Sequence, residues 1–197
     1  MTNRRRFIGM WLAVAGSSLV GCAGSGNSAW VTLIDGTRIP ADWKQLGKGN
    51  WSIADGALQG KDGDAGYLVS PKSYSDFEIR AEFWGDDNAN SGIFIRCQDP
   101  AKIGAATSYE VNIWDKRPDP TYGTGGIPTF AAVAQPYPKS ANRWNVYEIA
   151  ARGDRIVVHL NGQQTVDKTG AKFRSGPVAL QSAAGTIRFR KVEIREI

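Results

Sequence analysis

Apolar and polar residues alternate with a period of two through most of this 197-residue chain. That period belongs to β-strands with one buried face. Phe77-Glu78-Ile79-Arg80-Ala81-Glu82-Phe83-Trp84 puts Phe77, Ile79, Ala81 and Phe83 on one side and Glu78, Arg80, Glu82 and Trp84 on the other. Ile93-Phe94-Ile95-Arg96 repeats the pattern, and in residues 109–114 Val111 and Ile113 oppose Glu110, Asn112 and Trp114. Further runs fall at 144–151, 156–160, 163–167, 178–181 and 187–194. Asp55-Gly56 and Asn161-Gly162 are two-residue hairpin turns, because Asp, Asn and Gly tolerate the positive φ such turns need. Arg152-Gly153-Asp154-Arg155 also reads as a turn. The chain offers no amphipathic stretch of three helical turns, no repeat and no second domain. Short strands joined by Gly and Asx turns predict an all-β domain, a sandwich or a barrel of antiparallel sheet.

The first 29 residues have a different character. Arg4-Arg5-Arg6 precedes an apolar stretch that ends Leu19-Val20-Gly21-Cys22. A charged start, a short apolar run and small residues before a cut site describe an export signal. The run is too broken by Gly16, Ser17 and Ser18 for a membrane span, which needs about 20 largely apolar residues. Leu19-Val20-Gly21-Cys22 resembles a bacterial lipobox, and residues 3–8 resemble a twin-arginine signal. The expected organisation is therefore a signal at 1–21, a flexible tether at 22–29 and a folded domain at 30–197. The chain is expected outside the cytoplasm, in the periplasm or at the surface of a bacterial envelope, on the outer membrane where that envelope is Gram-negative, held by a lipid on Cys22.

Removing the signal changes the charge. The chain has 24 basic and 19 acidic residues. Losing Arg4, Arg5 and Arg6 leaves 21 against 19, so the excess falls from +5 to +2. No Lys/Arg cluster remains to make a nucleic-acid surface. Cys22 and Cys97 are the only cysteines. With Cys22 acylated, Cys97 has no partner and reads as a small core or edge residue rather than a nucleophile. Zinc is disfavoured with a single histidine. That histidine, His159, reads as a sheet-surface residue, and Trp51 and Trp144 read as core.

Alternation also assigns a surface. If Ile93, Ile95, Val111 and Ile113 are core, then Arg96, Glu110, Asn112 and Trp114 face outward together. Polar groups beside an aromatic plane suit a sugar, whose apolar face stacks on a ring while its hydroxyls need directed hydrogen bonds. The same pattern also describes an ordinary solvated face with an Arg–Glu pair.

Several short motifs occur in a fixed order. They are Leu33-Ile34-Asp35-Gly36 with Asp42-Trp43, residues 51–58 around Asp55-Gly56, Tyr74-Ser75-Asp76-Phe77-Glu78-Ile79 and Asn90-Ser91-Gly92-Ile93-Phe94-Ile95-Arg96. Residues 109–115, Trp144-Asn145, Leu160-Asn161-Gly162, residues 176–181 and residues 187–192 complete the series. This order resembles the 3-keto-disaccharide hydrolase family across essentially the whole mature chain. The resemblance implies a concanavalin-like jelly-roll sandwich of two antiparallel sheets. It also implies an oxidised disaccharide or glycoside as substrate. Three departures bear on substrate choice and activity. Asn112 stands where the family commonly has Gln, Ser182-Ala183-Ala184-Gly185 replaces a His-Gly after Leu180-Gln181, and Pro128 follows Gly125-Gly126-Ile127 where a tyrosine is common.

A ketone at sugar carbon 3 acidifies the proton on carbon 2. Removing it gives an enolate that expels the group on carbon 1, and water then adds. Such a site needs a base, a positive or hydrogen-bonding group for the enolate oxygen, and an acid for the leaving group. The candidates are Glu110 as base or metal ligand and Arg96 for the enolate. Asn112, Asn145 and Gln181 would orient hydroxyls, with Trp114 or Trp84 as a stacking wall. Oxygen donors for a divalent ion such as calcium are sparse. Asp86, Asp87 and Asp115 are the candidates, with Asp62-Gly63-Asp64 beside them, but the run from Asp86 lacks the glycine and glutamate of an EF-hand loop. Gly123-Thr124-Gly125-Gly126 is expected to be a mobile loop near the groove. A non-catalytic carbohydrate-binding module and a structural surface lipoprotein are the alternatives. An enzyme predicts a carboxylate with a raised pKa in a water-poor groove.

Overall fold

The computed structural model describes residues 28–61 and 64–197. The export signal and Cys22 lie outside the described residues, as do Asp62 and Gly63. The strands are β1 (Val31–Ile34), β2 (Lys44–Gly47), β3 (Trp51–Ala54), β4 (Ala57–Lys61), β5 (Gly66–Tyr74), β6 (Phe77–Gly85) and β7 (Ser91–Ile95). They continue with β8 (Tyr109–Ile113), β9 (Trp144–Arg152), β10 (Arg155–Leu160), β11 (Gln163–Lys168), β12 (Gly176–Ser182) and β13 (Thr186–Glu196). Among the described residues the only helical element is a single 3-10 turn, Pro120–Tyr122. The turn residues act as expected. Asp55 and Gly56 have φ of 51° and 70°, and Asn161 and Gly162 have 52° and 81°, so each pair supplies the two left-handed positions of a tight hairpin.

The strands pair into two antiparallel sheets. The larger runs β11-β10-β9-β6-β13-β4-β3, with β1 also paired to β13, and the smaller runs β2-β5-β12-β7-β8. The sheets stack as a jelly-roll sandwich. Phe77, Ile79, Ala81 and Phe83 of β6 and Tyr147, Ile149 and Ala151 of β9 face Ile93, Ile95, Val111, Ile113, Val178 and Leu180 across the core. Phe83 and Tyr147 stack with centroids 4.8 Å apart. The alternation read from the sequence is thus the alternation of core and outer faces.

The two outer faces differ. That of the larger sheet is charged and aromatic, with Arg80 paired to Glu148 at 2.9 Å, while His159 lies there part-buried beside Trp30 and Arg195. Trp144 belongs to this face rather than to the core: it is 37% exposed, and Arg190 stacks on it at 4.4 Å. Trp51 is buried in the core as expected. The outer face of the smaller sheet is covered. Val69, Phe94, Cys97 and Ala179 form a second apolar cluster there, with Leu46, Tyr67 and Ile103 packed against it. Every residue of β7 is buried. An antiparallel sheet usually leaves one face to water, so the burial of this outer face sets it apart from that of the larger sheet.

Candidate functional site

The site lies on that outer face, where β12, β7 and β8 run side by side. Phe94 is opposite Glu110 and Gly92 is opposite Asn112. Ala179 pairs with Phe94 on the other side, and Gln181 pairs with Tyr67. The lack of a side chain at Gly92 makes a notch in the sheet face, and the Glu110 side chain lies in it. A Cβ there would lie 2.8 Å from both Cγ and Oε1 of Glu110, so the carboxylate leans directly over the glycine.

Glu110 is the electrostatic centre. Among the described residues no ion pair or side-chain hydrogen bond reaches its carboxylate, and burial pushes its pKa up from 4.5 to about 7. Burial disfavours the charged form because water no longer solvates it. The Arg117 charge pulls in the opposite direction without cancelling the effect. Tyr67 is also held protonated by burial, with Gln181 opposing and the Glu110 charge reinforcing the shift. Its ring meets Phe94 edge-on at 5.3 Å, and its hydroxyl is 3.3 Å from Gln181 Nε2.

The amide groups are only half-satisfied. Asn112 is wholly buried, and its Nδ2 donates to the Tyr122 carbonyl at 2.7 Å. Its Oδ1 has no partner, and neither does Gln181 Oε1. Buried polar atoms are normally paired, so two orphan acceptors beside a neutralisable carboxylate indicate a surface shaped for something that donates.

Arg96 does not join this group, which corrects the expected outward quartet. The strand ends at Ile95, and Arg96 has φ of 53°, in the left-handed region where period-two alternation no longer holds. Its side chain is completely buried between the ends of the two sheets. It donates to the Ser75 carbonyl at 2.9 and 2.6 Å, to the Gly153 carbonyl at 2.6 Å and to the Phe173 carbonyl at 3.2 Å. Its carboxylate partner is Asp76, at 3.0 Å, not Glu110. Parity gave the wrong direction because it assumes continuous extended backbone.

The guanidinium near Glu110 belongs instead to Arg117. Trp114 ends the β8 segment, the Arg117 amide donates back to the Trp114 carbonyl at 3.3 Å, and the guanidinium stacks on the indole at 5.3 Å. Trp114 and Arg117 thus continue the same chain segment that carries Glu110 and Asn112. Sequence reading passed over Arg117, although a turn placing an arginine three residues after a tryptophan was visible. It also passed over Tyr67, Phe94 and Gly92.

Two other expected contacts lie elsewhere. Trp84 is on the outer face of the larger sheet, opposite Trp144 and under the Arg188 guanidinium at 5.2 Å, so it cannot wall the notch. Asn145 is buried at the start of β9. Its Nδ2 donates to the Ser140 and Arg143 carbonyls, both at 2.8 Å, and its Oδ1 accepts from Asn161 at 2.9 Å. Both its amide hydrogens and its oxygen tie the segment before β9 to the turn at Asn161. The glycine-rich segment is near the groove but is not loose. Gly123 to Gly126 are buried, the Asn112 amide donates to the Gly126 carbonyl and the Gly125 amide donates to the Asn112 carbonyl, each at 3.0 Å.

The candidate metal ligands do not fit an ion. Both Asp115 oxygens already accept from Thr124, Ser140 and Ala141. Asp86 accepts from the Asn88 and Thr186 amides, each bond 2.8–2.9 Å. Asp87 stands exposed, and among the described residues no three acidic, histidine or cysteine side chains converge. Cys97 is buried beside the site with its thiol pushed up to about 12 by burial, so it is an apolar packing residue rather than a nucleophile.

Solved structures share the fold. Despite low identity, the sandwich superposes on a candidate glycosyl hydrolase from Parabacteroides distasonis at TM-score 0.63, with 24% identity over 75% of this chain and 90% of that one. It also superposes on the carbohydrate-binding module CBM66 from Bacillus subtilis at TM-score 0.62, with 21% identity, covering 77% and 93%. These likenesses define the fold class, a two-sheet β-sandwich. Within that class, residues 29–195 match the 3-keto-alpha-glucoside-1,2-lyase-like domain, and the chain belongs to that family. A 3-keto-disaccharide hydrolase from Bacteroides thetaiotaomicron is 24% identical over 173 residues, 70% of this chain; the alignment spans 58% of that longer protein.

Proposed function

We propose that this protein cleaves 3-keto-glycosides and that Glu110 is its base. The observation that carries this reading is a carboxylate without a partner, held by burial at a pKa of about 7 over a notch on a covered sheet face. A general base works best with a pKa near the working pH, and a purely sugar-binding or structural face has no use for a perturbed acid. Glu110 takes the proton from carbon 2, and the electron pair moves onto the ketone oxygen as an enolate. The Arg117 guanidinium, already coupled to Glu110, supplies the positive field that the enolate needs. The enolate then collapses and breaks the bond from carbon 1 to the departing oxygen. The proton held by Glu110 is available for that oxygen. Elimination alone gives an unsaturated ketosugar, as a 1,2-lyase, the word in the family's description, would, whereas addition of water at carbon 1 completes hydrolysis, the activity named for the Bacteroides relative.

The test is incubation with 3-keto-trehalose and follow-up of products. Wild type should release glucose together with either the unsaturated ketosugar or 3-ketoglucose. Glu110→Gln should fold and release neither. Release by Glu110→Gln at the wild-type rate removes Glu110 from the mechanism. Binding without release by wild type makes the protein a sugar-binding module, the role for which the likeness to CBM66 is the supporting observation. We also place the protein outside the cytoplasm with a lipid on Cys22, on the strength of residues 4–22. Metabolic labelling with an alkyne fatty acid should mark the chain, and Cys22→Ala should abolish the label.

A further inference from the structure

The notch over Gly92 has a hydrogen-bonding polarity that the reaction scheme does not use. The Tyr122 carbonyl can only accept, so its 2.7 Å contact fixes which end of the Asn112 amide is nitrogen. The other end, Oδ1, is therefore an acceptor by necessity. It belongs to a side chain with no exposed surface, and it has no partner. Gln181 Oε1 is a second unpaired acceptor on the neighbouring side of the notch. Between them Gly92 carries no side chain, and the Glu110 carboxylate lies over it. A group that meets Asn112 Oδ1 or Gln181 Oε1 must donate.

A ketone oxygen has only lone pairs, so it is repelled from such a place, whereas a sugar hydroxyl is drawn in. The donors of the site are the Arg117 guanidinium on its stacked indole and the Tyr67 hydroxyl, which lies 3.3 Å from Gln181 Nε2. If Glu110 takes the proton on carbon 2, the two oxygen-bearing neighbours of that proton are the carbon-2 hydroxyl and the carbon-3 ketone. The polarity of the notch separates them. We infer that Asn112 Oδ1 accepts a hydrogen bond from the hydroxyl on carbon 2, which turns the ketone toward Arg117 and makes Asn112 a specificity-determining residue for substrates with that hydroxyl free. This rests on the ketosugar reading above.

The inference is tested with ligands that cannot be cleaved. The 3-keto derivative of 1,5-anhydroglucitol has no exocyclic group on carbon 1 to expel, and its 2-deoxy counterpart lacks only the hydroxyl in question. Calorimetry on the full chain should show the parent sugar binding on the order of tenfold to a hundredfold more tightly than the deoxy sugar, the usual consequence of leaving a buried acceptor unpaired. In Asn112→Ala that gap should shrink below about threefold, the coupling that a double-mutant cycle isolates. Equal binding of the two sugars by the unmodified protein overturns the inference, as does an undiminished gap in Asn112→Ala. The wild-type ratio decides alone if the variant does not fold. Failure to bind either sugar, coupled with no cleavage of 3-keto-trehalose, removes the ketosugar reading and this inference with it. That result is distinct from the first, in which the parent sugar still binds.

Discussion

The Tyr147 hydroxyl donates to the main-chain carbonyl of Asn112 at 2.6 Å, across the core from one sheet to the other. Asn112 sits on β8, the edge strand of the smaller sheet. The free edge of that strand is closed by the buried glycines of 123–126 instead of by another strand. An unpaired edge is a liability that proteins cover. Here the cover, the edge strand and the core tyrosine meet at the residue whose side chain lines the notch.

Removing that tie should be felt in both stability and function. Tyr147→Phe keeps the stacked ring but deletes the only donor from the core to this carbonyl. The carbonyl retains the Gly125 amide, so the expected loss is about 1–2 kcal/mol, seen as a lower urea midpoint with an unchanged slope. Ketosugar cleavage should fall severalfold because β8 is held less firmly. A midpoint equal to that of wild type would show that the bond contributes nothing.

Glu110 makes stability depend on pH in a way that runs against habit for a carboxylate. Its folded pKa of about 7 is above the unfolded value of 4.5. Between those values the folded state holds more protons than the unfolded state, so stability falls as pH rises from about 4.5 to 7 and stays low above it. Burial of the charge costs up to about 3 kcal/mol by this linkage. Glu110→Gln should melt several degrees above wild type at pH 8 and within a degree of it at pH 4, while losing cleavage. Equal melting temperatures at pH 8 would mean that Glu110 ionises freely.

Arg117 tests the same group from outside. Its charge lowers the Glu110 pKa. In Arg117→Gln the acid limb of the rate–pH profile should move to higher pH, and the plateau rate should fall as the enolate loses its field. A limb at the wild-type position would separate Arg117 from Glu110.

Much of the fold was legible because alternation is strict wherever a strand has one wet face. Strand β6 reads B-then-intermediate along its whole length, and the sequence showed it almost residue for residue. Strand β5 was missed because Leu68, Val69 and Ser70 are all buried, so no period appears. Strands β7 and β12 bury nearly every residue; the alternation of Ile93-Phe94-Ile95 located β7 but gave no sign that Phe94 is buried too. Glu110, Asn112 and Gln181 were legible as outward residues of recognised strands. Arg96 was not, because one left-handed residue reverses parity and no local signal marks it. Arg117 lay in a loop, where spacing says nothing about which side chains meet.

Arg96 is a structural residue, and its removal should separate folding from catalysis. It holds three main-chain carbonyls and Asp76 at the end of the sandwich. Arg96→Met leaves those acceptors without donors in a buried place, at an expected cost of about 3 kcal/mol or more. Arg96→Lys should recover little, since one ammonium cannot reproduce the fork of donors. Cleavage per folded molecule should remain within about twofold of wild type, measured at a temperature where both are folded. A deep loss of turnover in a well-folded Arg96→Lys protein would restore Arg96 to the chemistry.

Gly92 provides the opposite case, a change that harms the site more than the fold. Its backbone is extended, so alanine meets no conformational penalty. The atoms in its way, at 2.8 Å, are the Cγ and Oε1 of Glu110, the outer part of a side chain that can swing aside. Gly92→Ala should therefore cost less than about 1 kcal/mol in stability, well below a core overpacking penalty. It should also fill the notch and push the carboxylate from its place. We expect turnover of a 3-keto-glycoside to drop by at least about tenfold, since a displacement of about 1 Å of a catalytic group is that expensive. Turnover undiminished in Gly92→Ala would place the reacting carbon somewhere other than above this glycine.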